Sequence, residues 1–421
     1  MLSYFYKKIK LNKNKTKLIP AFLLSFVNIL GFSIMIPVLP FVIETYGAPQ
    51  FVYGLMLSLY AFFQFIGSPI LGKLSDSIGR KPVLIISHLG TLLSWVIFGL
   101  AYFLPSTTVF YLALPLWVIA FARITDGITG GNISVANAYV SDITTVKEKS
   151  TIFGYLGGIV GLGFVIGPGI GGVSSSTSIG YLGTVIVAAL ISFVALVSIL
   201  LFLKESLPLE ERSERKRVNF KDSFFIVRRI KVLNPKKIIK QVLIMKVFSG
   251  VLMAFYISTV VLYIIYRFDF DEKEVGVFML MAGLFLAFNQ AFVYKIIVKR
   301  IGEMKTLTLG FFFLTIGFAL ITLTTDIISF ACVYYFLNLG ISISLPVFNS
   351  LISQHTDKDK MGEIMGVSES ISSMSNALIP VFAAFIYSVV NGDLYFLLAF
   401  ISFIAMIVAV VSQRSRKVKI V

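Results

Sequence analysis

The sequence predicts an all-α integral membrane protein with twelve transmembrane helices in two six-helix bundles (6+6) and both termini in the cytoplasm. Three observations carry this reading. Hydrophobic residues make up 57% of the 421 positions and charged residues only 14%, with a mean hydropathy of +0.90, whereas soluble domains carry about one quarter charged residues. Twelve apolar runs follow one another along the chain, each long enough to cross a hydrocarbon core of about 30 Å as a helix. Finally, 33 of the 37 Lys and Arg fall in the tails, in alternate interruptions of those runs or, for Lys295 and Lys305, at the run ends beside one, which is the positive-inside bias of a multi-pass protein.

The first run, 18–43, follows six lysines. No A-x-A site closes it, so it reads as an uncleaved first helix rather than a signal peptide. Runs at 51–72, 82–103, 110–141, 151–173 and 181–203 complete the first half. The longest polar interruption, Lys204 to Lys240, carries twelve Lys and Arg and reads as a cytoplasmic linker. Its stretch from Phe220 to Leu233 mixes Phe and Ile with basic residues, the pattern of a helix lying on the membrane surface. Runs at 241–266, 275–298, 305–323, 327–353, 362–390 and 393–412 form the second half. The expected division is therefore 1–203, 204–240 and 241–421.

The halves repeat. At an offset of 212, Asn137, Ser141, Gly154 and Pro168 meet Asn349, Ser353, Gly366 and Pro380. At an offset of 223, SIGRK (77–81) meets RIGEMK (300–305). Parallel six-helix repeats are an architecture of secondary transporters, whose substrate site lies between the halves near the bilayer midplane.

Several functions are excluded by chemistry. The net charge of +16 is topological and suits anionic lipid rather than nucleic acid. GSPILGKL (67–74) imitates a phosphate loop but offers Leu74 where magnesium needs a hydroxyl. GPGIGG (167–172) imitates a dinucleotide turn, yet no strand precedes it and the next acid is Glu205. The single cysteine, Cys332, forms no intrachain disulfide, and His88 and His355 are too distant in sequence to suggest a metal site. No cofactor is expected, and energy must come from an ion or substrate gradient.

In the stretch containing GPGIGG, Gly163, Gly167 and Gly171 recur every four residues, so they share a helix face that another helix can approach closely. Pro168 favours a kink there. GFVIGPGIGG (163–172) resembles the antiporter motif, g-x-x-x-G-P-x-x-G-G, of drug:proton antiporters in the major facilitator superfamily, with every fixed position filled, Gly172 included. GKLSDSIGRKPVL (72–84) is similar to that family's motif between helices 2 and 3, departing at Ser77. LGFSIMIPVLP (30–40), with Gly31, Pro37 and Pro40, resembles its helix 1 motif. ARITDGITGG (122–131) is similar to its R-x-x-q-G motif, with Asp126 in place of glutamine. GITGGNISVANAYVSDIT (127–144) looks most like the tetracycline-efflux and multidrug exporter group.

The resemblance implies a cytoplasmic latch made by Gly72, Asp76, Gly79, Arg80 and Lys81, with Asp142 at the inner end of helix 4 as an acidic partner. Asp76 is expected in a cytoplasmic turn, facing a helix N-terminus. Arg123 and Asp126 lie within helix 4 near the midplane, where an unpaired charge costs about 3 kcal/mol; at i,i+3 they can neutralise each other. The bland reading is a structural ion pair, and the functional one is that Asp126 carries a coupling proton tuned by Arg123. Glu369 is the second candidate acid; helix 1 has none between Leu18 and Val42, and Glu44 falls at the outer rim. Asn28, Gln64, Asn132, Asn289, Gln290, Asn338 and Asn376 are the polar residues placed to line a cavity or to bond between helices.

The expected protein is thus a monomeric, multi-pass transporter of the inner (plasma) membrane. Its partners are a small-molecule substrate, protons and membrane lipids, and its expected activity is export of an amphipathic, drug-like compound in exchange for protons by alternating access. Import of a nutrient by symport or facilitation, and a non-transporting receptor or scaffold, remain alternatives at this level.

Overall fold

The structure is a computed structural model that describes residues 18–144, 146–212, 226–356 and 361–417. Of the expected surface helix from Phe220 to Leu233, the described part is a helix, Ile226–Leu233; positions 213–225 lie outside the described residues, as do those of the N-terminal tail through 17.

In chain order the first half contains α1 (Leu18–Ser33), α2 (Leu39–Thr45), α3 (Phe51–Ile78), α4 (Arg80–Leu100), a hairpin of β1 (Thr108–Val109) and β2 (Leu112–Ala113), α5 (Leu114–Gly130), α6 (Ile133–Asp142), α7 (Val146–Ser175) and α8 (Tyr181–Phe202). After α9 (Ile226–Leu233) come α10 (Lys237–Phe268), α11 (Glu272–Phe288), α12 (Tyr294–Ile301), α13 (Glu303–Ile321), α14 (Ile327–His355), α15 (Met361–Val390) and α16 (Leu394–Lys417). Among the described residues, nine helical stretches are long and apolar enough to cross a membrane.

Four of the twelve expected runs are not separate uninterrupted spans, each for a local reason. The first is broken at 34–38, where Pro37 supplies no N–H and Pro40 occupies the opening turn of α2. The fourth begins at Leu114 rather than 110, because Phe110 and Tyr111 turn the outer hairpin with φ of 46° and 67°; Trp117 Nε1 donates to the Val109 carbonyl at 2.8 Å and anchors it. That run is broken again at Gly131 and Asn132. The last two runs form one helical stretch, Glu363–Gln413, bent through Asn391–Asp393. A wide π turn, Asn289–Val293, joins α11 to α12.

By internal contacts the chain divides into two compact units, Met1–Met35 with Phe63–Val218 and Ile36–Phe62 with Asn219–Val421. In the first unit an apolar cluster ties Leu24 of α1, Leu71 of α3, Leu84 of α4, Tyr139 of α6 and Ile199 of α8. The second is closed by aromatic rings. Phe278 meets Tyr334 at 4.7 Å, Phe268 meets Phe330 at 5.0 Å and Tyr263 meets Tyr395 at 5.2 Å. Such edge and tilted pairs add to the area they bury. Asp326 caps α14: the Ser329 N–H and hydroxyl, with the Ile328 N–H, hold its carboxyl below its ordinary range.

Outward faces are apolar. Leu190, Phe193, Val194 and Leu201 of α8, and Phe285, Phe288, Phe292 and Ile296 along α11 and α12, are all exposed. Long helices with leucine and phenylalanine on the outside are built for lipid.

The internal repeat has a geometric counterpart. Gly79 precedes α4 with φ 104° and ψ 159°, and Gly302 precedes α13 with φ 78° and ψ 165°. Both are conformations that only glycine adopts easily, at positions 223 residues apart.

Glycine also lets α3 and α5 touch in the first unit: a methyl on Gly67 would collide with the Ile128 carbonyl, and one on Gly131 would lie 2.5 Å from the Ser68 nitrogen. Gly67→Ala is expected to cost about 1–3 kcal/mol through overpacking, read as a lowered unfolding midpoint. Gly161→Ala, which meets open space, should leave that midpoint unchanged.

Candidate functional site

The centre of the first unit holds a charge pair that hydrocarbon would not tolerate singly. Arg123 and Asp126 lie nine and twelve residues beyond the start of α5, about 14 and 18 Å along it. Their side chains are 3% and 5% exposed, and Arg123 Nη2 stands 3.3 Å from Asp126 Oδ2. The i,i+3 spacing brings them together on one face. From α4, Trp95 and Phe98 offer their rings to the guanidinium at 4.9 and 5.4 Å, a desolvated cation–π contact. The hydroxyls of Thr91 and Ser94 lie within hydrogen-bonding reach of the carboxylate.

A polar cluster fills the break between α5 and α6. Asn28 Nδ2 donates to Asn132 Oδ1, and Asn132 Nδ2 donates to Ser87 Oγ. Ser87 Oγ donates to the Thr129 carbonyl, and Gln64 Nε2 donates to the Gly130 carbonyl at 3.2 Å. His88 is fully buried beside Asn132. Of the seven amides singled out in the sequence, Asn28, Gln64 and Asn132 thus bond between helices here. In the second unit Asn338 Nδ2 donates to the Ala282 carbonyl at 3.0 Å, and Asn289 Oδ1 accepts from Tyr335 at 3.5 Å. Gln290 is half-buried on the π turn and Asn376 is exposed.

The glycine face of α7 meets α1. A methyl on Gly163 would stand 3.2 Å from Ile29 and from the Phe26 carbonyl; one on Gly167 would strike Ser33, and one on Gly171 the Ile34 carbonyl. Ser33 Oγ donates to the Gly163 carbonyl at 3.0 Å. Backbones this close need small residues. Pro168 sits inside α7 without ending it, and Gly172 is buried. Gly31 of α1 lies 3.6 Å, by its own missing methyl, from Trp95, so the helix 1 motif touches the ring that holds Arg123.

At the end of α3, Asp76 is on the last turn of the helix rather than in the turn itself, which is made by Gly79. Arg80 Nη1 donates to Asp76 and to Ser75 Oγ, while its Nε donates to Asp142 Oδ2 at 3.1 Å. Lys81 Nζ donates to the Leu200 carbonyl at 3.1 Å, and Gly72 faces Ser134. The sequence reading missed Glu205. Its carboxylate accepts from the backbone N–H groups of Arg80 and Lys81 at 2.9 and 3.1 Å, and Arg212 approaches it at 3.9 Å. It thereby satisfies orphan donors at the start of α4 and lies where that helix end is electropositive. Ser206 Oγ donates to Asp142 Oδ2 at 3.0 Å, closing the network. The available signal was an acid at the end of the sixth run in an otherwise basic stretch.

In the second unit Glu369 is exposed on α15 and interacts electrostatically with Lys246 of α10, whose ammonium lies 5.3 Å from the Phe348 ring centre. A lone lysine inside an apolar run was the sequence signal for this interaction. Among the described residues no group of three or more His, Cys, Asp or Glu is placed to hold a metal ion.

A family model described as Major Facilitator Superfamily matches residues 21–380. The tetracycline resistance protein, class D, of Salmonella ordonez is 31% identical over 378 residues, covering 87% of this chain and 89% of that protein. Multidrug resistance protein 2 of Bacillus subtilis (strain 168) is 27% identical over 381 residues, covering 90% and 91%. Among solved structures, a bacterial homolog of the human lysosomal transporter Spinster, inward-facing and unoccupied, aligns with a TM-score of 0.75 at 12% identity, covering 96% of this chain and 98% of that one. At such identity the likeness is one of fold.

Glu205→Ala should cost about 0.5–2 kcal/mol, the range for losing a helix cap, and should speed proteolysis after Leu203 in detergent-solubilised protein. Glu205→Gln, which keeps an acceptor, is expected to restore part of the midpoint.

Proposed function

The chain belongs to the Major Facilitator Superfamily, and from that membership we propose that this membrane transporter exports a small amphipathic compound from the cytoplasm in exchange for protons, by alternating access. The arrangement proposed with it is twelve spans in two six-helix bundles, 1–203 and 241–421, joined by the basic linker 204–240, with both termini cytoplasmic. The protein is a multi-pass component of the inner (plasma) membrane and acts as a monomer in this reading. Relatives named for tetracycline and multidrug resistance support efflux.

One observation supports the coupling step: a carboxylate and a guanidinium, both buried, 3.3 Å apart on α5. Ionised together they are nearly neutral to the bilayer. A proton arriving on Asp126 removes the anion that faces Arg123, whose guanidinium lies over the rings of Trp95 and Phe98. That state favours either a rearrangement or a substrate group able to share the positive charge. Loss of the proton restores the pair, and is easiest when no other anion occupies Arg123. In the same reading Glu369, whose charge acts on Lys246, is the second candidate to take up a proton. The glycine contact of α7 with α1 and the Asp76–Arg80–Asp142 latch then tie the conformation of α1, α3 and α6 to the state of α5.

Reconstituted protein in liposomes with an imposed pH gradient tests this. Substrate moving against the proton flow is the expected result; flow in the same direction overturns export in favour of import, and no flux removes transport altogether. Asp126→Asn should abolish pH-driven transport while sparing exchange driven by a substrate gradient. Full pH coupling in that variant would transfer the proton role away from Asp126.

A further inference from the structure

We propose that the β1–β2 hairpin is an interfacial anchor, which seats the junction of α4 and α5 in the headgroup layer of the bilayer through the rings of Phe110 and Tyr111. The inference is independent of the proton-coupling reading and needs only that these helices stand in a membrane.

The turn is built against backbone preference. A two-residue hairpin loop with both residues at positive φ favours Asn-Gly, Asp-Gly or Gly-Gly, because a bulky side chain on that backbone is costly. Here the two positions are Phe110 and Tyr111, at φ 46° and 67°, and they close the pairs Val109 with Leu112 and Thr108 with Ala113. Both rings are left outside the protein, 83% and 99% exposed. Water returns nothing for that backbone cost. A membrane–water interface does, since aromatic rings settle at the level of the headgroups.

The hairpin is held at the matching depth. Trp117 lies three residues beyond the start of α5, about 5 Å along the helix, and its Nε1 donates to the Val109 carbonyl at 2.8 Å. That bond draws the hairpin down beside α5 instead of letting it stand off the helix end. Tyr111 comes three residues before Leu114, so the tip is no more than about 10 Å from the helix start. The interfacial layer on each side of the hydrocarbon is about 5–8 Å thick. Ladder bonds between β1 and β2, with the Leu114 N–H donating to the Thr107 carbonyl at 2.8 Å, satisfy main-chain groups that lipid would leave unpaired.

Charge and continuity identify the surface that the rings meet. From Pro82 through Ala122 the sequence has no Asp, Glu, Lys or Arg, so the hairpin and both helix ends beside it are uncharged. The turn before α11, by contrast, carries Asp269 and Asp271. Phe103 after α4, with Trp117 and Phe121 on α5, is exposed, so the apolar outward face of these helices continues to the hairpin. Because α4 and α5 also bring Trp95 and Phe98 to Arg123, an anchor at their junction fixes the depth of that contact.

The test uses the full chain with Cys332→Ser in lipid nanodiscs. A nitroxide is attached in turn at Phe110→Cys and Tyr111→Cys, and its collisions with oxygen and with a water-soluble nickel chelate are measured. Leu190→Cys, exposed on α8, is the lipid reference. Lys273→Cys, exposed between Asp271 and Glu274, is the aqueous one. The expected oxygen-to-nickel ratio at both hairpin positions is at least threefold above that at Lys273. Each label leaves the other ring in place, so a lowered unfolding midpoint in one variant leaves the other to decide. A ratio equal to that at Lys273 in a variant with the parental midpoint would leave the rings in water and overturn the anchor. Shielding from both reagents, with dipolar broadening between labels, would seat a second copy of the chain on the hairpin and overturn it equally.

Discussion

Two opposite charges 3.3 Å apart in the middle of α5 set the terms for the first unit. Neither Arg123 nor Asp126 has water to lean on, so each needs the other, and the surrounding helices must bring dipoles and rings to both. Helix α4 supplies Trp95, Phe98, Thr91 and Ser94, and α1 presents Gly31 against Trp95 so that the ring is held from behind. Replacing the pair by two apolar residues would be easy to accommodate, whereas losing one member leaves the other uncompensated. A membrane helix that retains both has a charge state that can be switched by one proton.

Close backbone approach is the second constraint, and it follows from the solvent. Lipid tails are as apolar as leucine, so helices gain little from hydrophobicity alone when they associate. Gly163, Gly167 and Gly171 let α7 lie against α1, and Gly67 with Gly131 let α3 lie against α5. At the first contact Ser33 adds a hydrogen bond to the Gly163 carbonyl. The network around Arg80 uses charge in place of close contact, with Asp76, Asp142 and Glu205 gathered at the start of α4. Glu205, immediately after α8, binds the start of α4 and so joins the beginning of the linker to the α3–α4 turn.

Much of this could be read along the chain, because a membrane imposes patterns that sequence carries openly. Apolar runs, the placement of basic residues and the four-residue glycine spacing are one-dimensional signals. Breaks were harder. Pro37 announces an interruption, but Gly131 and Asn132 end a helix only because α3 approaches there and Asn132 finds Asn28 and Ser87. Likewise Asp76 looked like a turn residue; the helix in fact runs on to Ile78, and the turn falls on Gly79, where a positive φ is tolerated.

The sequence by itself determined that the protein is helical and membrane-spanning, that it resembles the Major Facilitator Superfamily, and that Arg123 and Asp126 share a helix face. These depend on hydropathy and on the 3.6-residue helical period, which are local. The folded chain alone reveals which rings hold Arg123, that Asn28 serves Asn132 and that Glu205 binds the start of α4. Those pairings join residues far apart in sequence, and no local propensity carries them; the physical requirement is that every polar group withdrawn from water find a partner, and the fold chooses which.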